Sequence, residues 1–288
     1  VGEADNGAVT VMDGGSIIDV RMWFDQSPWR IAAGWTVLAA LLATGASLND
    51  LSTHAATFVL LFLLADPLWG SVWGLMSAPD SLPALRQSIE HSHIWLPYLR
   101  SGSPAARLFG MDGPSILAVV YRVALPAIFF ALVVSLLLPP AALWLTLILV
   151  AVSTIGWIHQ QIESIPITLL SVLVTVALPW LLVAFVAGAG TDQTNQLVLA
   201  ALWTVHVWGA QTERSGGPKT QALAAIGASQ VGIGLLLVLL QLPLWLIFFA
   251  LCSLPTWLAF HRGQSLDRVR LWWVAAMLIS GLALGQIV

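Results

Sequence analysis

Nine apolar stretches divide this chain, and each is long enough to cross a bilayer as a helix. They fall at about 29–48, 55–77, 115–138, 141–158, 166–189, 195–211, 221–241, 243–260 and 270–287. At about 1.5 Å per residue, some 17–25 residues cover a hydrocarbon core of roughly 30 Å. Inside lipid every backbone N–H and C=O must find its partner within the chain, which leaves helices as the open-ended solution. Polar or Pro-rich breaks separate the stretches, at Asn49-Asp50, Pro139-Pro140, Gly188 to Asp192, Leu242-Pro243 and His261 to Asp267. The composition agrees. Of 288 residues, 58% are hydrophobic and 9% charged, where a soluble domain carries about 25% charged residues. The sequence therefore predicts an all-α polytopic membrane protein with nine transmembrane helices.

The bases orient this layout. Arg21, Arg30, Arg86, Arg100, Arg107, Arg214, Lys219, Arg262, Arg268 and Arg270 all fall on one face of a nine-span arrangement. The remaining base, Arg122, lies inside the third span. The positive-inside rule then places the N-terminus in the cytoplasm and the C-terminus outside, as in a bacterial inner membrane. Residues 1–27 are polar and Gly-rich, show no signal peptide and read as a cytoplasmic arm. Residues 28–288 form the membrane domain, with 78–114 as a cytoplasmic loop lying along the interface through Trp95 and Tyr98. The bilayer is the first partner, and a larger membrane complex is a second. A net charge of -3 gives no indication of nucleic acid. The lone Cys252 sits in an apolar run and reads as a small buried residue. Most of the fifteen Trp residues, among them Trp29, Trp157, Trp272 and Trp273, are expected to anchor span ends at the interface.

Two segments carry candidate chemistry. One is the polar break after the sixth span, which holds His206, Glu213, Arg214, Gly216-Gly217-Pro218, Lys219 and Thr220. The other ends the second span as Ala65-Asp66-Pro67-Leu68-Trp69-Gly70-Ser71-Val72-Trp73. An ionisable group at membrane depth, such as Asp66, is costly and calls for a function or a partner. Arg122 needs a partner for the same reason, and Asp66 and Glu213 are its candidates. His159 stands beside Gln160, Gln161 and Glu163 at the end of the fourth span, where it either lines a shared cavity or solvates a helix end. His206 could ligate the magnesium of a chlorin, but a hydrogen bond to a neighbouring helix is the weightier reading. His91 and His93 stand two apart, off a common helical face, and read as surface loop.

The layout, with polar segments after spans two and six, resembles the UbiA-type intramembrane prenyltransferases, which include the chlorophyll and bacteriochlorophyll synthases. That family carries Asn-Asp-x-x-Asp-x-x-x-Asp at the end of span two and Asp-x6-Asp-Arg with Gly and Ser/Thr at the end of span six. The resemblance implies carboxylates that hold Mg2+ against the diphosphate of a prenyl donor, because Mg2+ is a hard ion that takes oxygen ligands. The second motif is matched in shape by His206, Glu213, Arg214, Gly217, Thr220 and Gly227. In the first motif only Asp66 keeps its acid, and Trp69 and Trp73 stand where two carboxylates belong. His206 replaces the leading acid of the second. Imidazole is a poor Mg2+ ligand, and an indole offers one N–H and no charge.

The resemblance, with these losses, implies a catalytically degenerate protein. It would bind an isoprenoid, quinone, carotenoid or chlorin tail beside Trp69, Trp73, Arg122, His159, His206, Arg214 and Lys219, or serve as a structural subunit. The alternatives are an active prenyltransferase using Mg2+ on Asp66 and Glu213, with Glu163 as a further acid, and a small-solute transporter.

Overall fold

The computed structural model describes residues 31–45, 54–77, 104, 125–162, 167–188 and 193–287. The N-terminal arm 1–27, the loop 78–114, Arg122, Glu163 and the side chain of His159 lie outside the described residues. Among those described, the regular structure is entirely helical and falls into nine segments. These are α1 (Ala33–Ala43), α2 (55–77), α3 (Leu125–Leu136), α4 (Pro140–Ile162), α5 (Ile167–Val186), α6 (Gln193–Arg214), α7 (Lys219–Leu239), α8 (Pro243–His261) and α9 (Leu266–Gly285). Five of them, α2, α5, α7, α8 and α9, are long and apolar enough to cross a membrane. Among the described residues, then, five of the nine expected crossings are present as full-length apolar helices. The helix α6 has the length but carries Gln193, Asn195, Gln196, His206, Gln211 and Glu213.

The first span is the clearest departure. An apolar run at 29–48 predicts a full crossing, but α1 has 11 residues, about 16 Å at the helical rise. Its start is set by Ala32, which is extended at φ -125° and ψ 171°. Its end is set by Gly45, which takes φ 72° and donates its N–H to Leu42 O. A left-handed residue just past the last turn is how helices commonly stop. This short helix is also the innermost. Ala33, Gly34, Thr36, Val37, Ala39, Ala40, Leu41 and Ala43 are buried, and α1 packs against α9, α5 and α2.

Small residues set the closest approaches. On α9, Gly281 and Gly285 lie so near α1 that a Cβ on either would stand 2.3 Å from Ala39 O or 2.0 Å from Leu42 O. Between α6 and α7, a Cβ on Gly209 would stand 2.7 Å from Ala222 O. Membrane helices use such residues to bring backbones together where no hydrophobic drive separates helix from lipid tail. The periphery is the reverse. Leu244, Ile247, Leu251 and Leu254 of α8, and Val231, Leu235 and Leu239 of α7, are exposed. So are Phe129 and Leu136 of α3 and Trp144 of α4. In water a face of this extent is a liability; in a bilayer it is the lipid contact.

The Leu242-Pro243 break is a true turn. Gln241 sits at φ 58°, and Pro243 opens α8 where its missing N–H costs nothing. The other turns carry the charge. Arg214 and Lys219 flank the α6–α7 turn, and Arg262, Arg268 and Arg270 the α8–α9 turn. Arg214 of α6 and Arg270 of α9 share Asp267, which brings both turns to one end of the bundle. Every described base therefore lies at that end.

Candidate functional site

Asp66 is fully buried at mid-length in α2, inside a π-turn formed by Leu64–Leu68. Pro67 explains the turn. It has no N–H for the carbonyl four residues back, and its ring crowds that carbonyl, so the helix widens by one residue. The widening turns Asp66 toward α1. Its Oδ1 accepts the backbone N–H of Gly34 at 3.0 Å. Gly34 is the second residue of α1, whose own N-cap position, Ala32, has no side-chain hydrogen bond to give. A carboxylate from another helix thus does the work of an N-cap, meeting a free N–H and the positive end of the helix dipole together. Gly34 leaves room for it, since a Cβ there would stand 2.9 Å from the Phe62 ring and 3.1 Å from Asp66 Oδ1.

A second π-turn faces the same helix. In α5, Leu173–Ala177 widens just before Pro179. Proline at 179 withdraws the N–H that Thr175 O would receive in a regular helix. The Thr36 hydroxyl of α1 takes its place, donating to Thr175 O at 3.0 Å and to Ala32 O at 3.1 Å. So α1 is held at its N-terminal half by two interrupted helices, each broken at a proline and each followed by a fully buried Trp, Trp69 or Trp180.

The two indoles predicted to stand in place of metal ligands are packed between helices. Trp69 is 0% exposed and its Nε1 donates to Thr146 Oγ1 of α4 at 3.2 Å. Trp73 is buried against Gly156 of α4, where a Cβ would stand 3.0 Å from the indole. Trp273 is likewise no interface anchor. It is buried, and its Nε1 donates to Thr256 Oγ1 of α8 at 2.8 Å. Trp272, its neighbour, is exposed as an anchor would be.

His206 lies in a separate place, at the junction of α6, α7 and α9. It is fully buried, with Nδ1 3.1 Å from Ser229 Oγ. The Ser229 hydroxyl donates to Ile226 O at 2.8 Å, so its oxygen is left to accept, and Nδ1 carries the proton. The rings of Trp203 and Trp273 stand edge-on to the imidazole, with centroids 5.0 and 5.2 Å away. Trp203 is itself tied to Ser280 of α9 at 2.9 Å. Nε2 is buried without a hydrogen-bond partner. Removing both ends of a buried polar pair is far cheaper than removing one. A His206→Phe, Ser229→Ala double variant is therefore expected to unfold within about 1 kcal/mol of wild type. A Ser229→Ala single variant, which strands Nδ1–H, loses about 1–3 kcal/mol; denaturant titration followed by Trp fluorescence measures both.

Glu213 is half-buried at the end of α6, and Lys219 is exposed at the start of α7. Arg214 is engaged by Asp267 at 3.1 Å. The contacts described for Asp66 run to α1, those of His206 to α7 and α9, and that of Arg214 to the α8–α9 turn. Among the described residues no group of three or more His, Cys, Asp or Glu is placed to hold a metal ion. Composition and motif spacing did not reveal Gly34, Thr36, Thr175, Ser229 or Asp267. The prolines at 67 and 179, each within two residues of a Trp, were the available signal for the two π-turns. Comparison with protein-family models, with curated proteins and with solved structures found no match.

Proposed function

We propose that this chain is a UbiA-like integral membrane protein without prenyl-transfer activity, serving as a lipid-tail-binding or structural subunit of a membrane complex. The observation that carries this reading is the role of Asp66. The one acid kept at the first motif position is spent on the N-terminus of α1, and the neighbouring Trp69 and Trp73 are spent on α4. A carboxylate engaged as a helix cap is poorly free to bind Mg2+ and a diphosphate. The bundle would present its basic end to the cytoplasm, as the positive-inside rule requires. In this reading the ligand is an isoprenoid, quinone or pigment tail, held by apolar contact and not through a metal.

The decisive measurement is diphosphate release. Purified protein is incubated with Mg2+, a polyprenyl or phytyl diphosphate and aromatic or tetrapyrrole acceptors. The expected outcome is no release above a protein-free control, together with an isoprenoid-type lipid that co-purifies in the absence of Mg2+. Release that disappears on Glu213→Ala, in a variant that still folds, sinks the proposal in favour of an active transferase.

A second reading has its own observation. A half-length inner helix that begins at a buried carboxylate, flanked by two interrupted helices, is the kind of geometry transporters use for solute and ion sites. Uptake of a labelled solute into proteoliposomes, driven by a sodium or proton gradient and lost in Thr36→Val, is the result that would select it.

A further inference from the structure

Among the described residues, the basic end of the bundle holds five bases, Arg214, Lys219, Arg262, Arg268 and Arg270, against two acids, Glu213 and Asp267. Asp267 is shared by Arg214 and Arg270. Arg262 and Arg268, on either side of the same turn, are exposed and have no ion-pair partner among the described residues. The turn that carries them is fixed. Gly263 takes φ 61°, Gln264 donates its N–H to Ala259 O, and the Ser265 hydroxyl caps Asp267. The two guanidinium-bearing positions are therefore held at the rim of the bundle by ordered backbone.

Immediately below this rim the surface is apolar. Trp257 and Phe260 on α8 and Trp272 on α9 are 44%, 46% and 46% exposed. Trp257 lies about 7.5 Å along α8 from Arg262, and Trp272 about 6 Å along α9 from Arg268, at the helical rise. Exposed indoles at that depth mark the headgroup level of a bilayer. Unpaired arginines above exposed rings and aliphatic side chains make a surface matched to a molecule with an anionic head and acyl chains.

We propose that the α8–α9 turn and its flanks bind an anionic phospholipid, with Arg262 and Arg268 on the phosphate and α8 and α9 against the chains. The occupant follows from charge. A zwitterionic headgroup brings its own ammonium to two cations, whereas a phosphatidylglycerol-type head brings an uncompensated negative charge. Arginine suits the role, because its fork of N–H donors meets two phosphate oxygens at once. This site is independent of any tail-binding cavity and of the prenyltransferase resemblance.

The test uses the full chain in neutral detergent, titrated with phosphatidylglycerol or phosphatidylcholine and followed by thermal unfolding. Phosphatidylglycerol is expected to raise the melting temperature saturably, and phosphatidylcholine to do so far less. An Arg262→Gln, Arg268→Gln double variant is expected to lose apparent affinity for phosphatidylglycerol about 30-fold, given about fivefold per base near a membrane surface. Both side chains are exposed, so its melting temperature without lipid should match wild type. An Arg262→Lys, Arg268→Lys variant keeps the charge and should retain most of the affinity, which separates charge from any loss of fold. Equal stabilisation by the two lipids overturns the proposal, as does unchanged affinity in the Gln variant. Glycerol 1-phosphate protecting as well as the lipid does would make this a soluble-anion site and overturn it equally.

Discussion

Replacing Asp66 with Ala lowers the unfolding free energy by about 2–3 kcal/mol, the scale of a buried hydrogen bond to a charged group. The loss includes two parts. The Gly34 N–H is left without its acceptor in a place water does not reach, and the positive end of α1 loses the anion that faces it. Asp66→Asn keeps a carbonyl oxygen at the same position and so keeps the cap without the charge. It is expected to cost about 1 kcal/mol. Gly34→Ala presses on the same contact from the other side, because the added Cβ meets the Phe62 ring and Oδ1. The Asp66→Ala, Gly34→Ala double variant should be less damaging than the sum of the two, since both break one interaction. Denaturant unfolding in detergent, read by Trp fluorescence, gives the ordering. If Asp66 were held for chemistry, the ordering would differ. Ala and Asn would then leave stability near wild type and abolish activity alike.

That role could not be read from the chain. The sequence marks Asp66 as costly at membrane depth, but cost alone does not separate a ligand of Mg2+ from a cap on a distant helix. The separation needs Gly34, which stands 32 residues away, and it needs the π-turn that aims the carboxylate. The location of the helices was far more legible. Apolar runs predicted at 55–77, 166–189, 221–241 and 243–260 match α2, α5, α7 and α8 to within a few residues, because the need to pair every backbone group in lipid gives length a direct meaning. The same rule misjudged α1. A run at 29–48 is apolar in its described part apart from Thr36 and Thr44, yet Ala32 is extended and Gly45 is left-handed. Hydropathy measures where a residue can lie and is blind to where the backbone turns. Trp273 shows a similar limit. An indole near a helix end suits an interface anchor, but Thr256 on α8 offers its hydroxyl and Trp273 goes inside. Asp267 could be seen as an acid among bases, whereas its sharing by Arg214 and Arg270 depends on two turns meeting.

Gly281→Ala on α9 is expected to destabilise by about 3 kcal/mol, the upper part of the range for overpacking a tight contact. The reason is that the atoms in the way are backbone. A Cβ at 281 would stand 2.3 Å from Ala39 O and 3.1 Å from Ala39 C, and no rotamer change can move a carbonyl. The two helices must separate, and that opens the contact at Gly285, one turn on, where a Cβ would meet Leu42 O at 2.0 Å. Residues 281–285 read Gly-Leu-Ala-Leu-Gly, and the facing helix repeats small residues at the same spacing in Ala39 and Ala43. Small residues four apart on both partners are the pattern of close helix pairs in membranes. Because α1 is too short to span alone and rests on α9, a wedge between them also strains the Gly34–Asp66 and Thr36–Thr175 contacts on its other side. Gly281→Ala should therefore couple to Asp66→Ala in a double-mutant cycle by more than about 0.5 kcal/mol, the level above which distant sites cease to be independent. The control is Gly74→Ala on α2. It lies in a helix with nothing within 4 Å of an added Cβ, so it should be neutral or stabilising by up to about 1 kcal/mol. Equal unfolding midpoints for Gly281→Ala and Gly74→Ala would show that α1 and α9 do not meet at this distance.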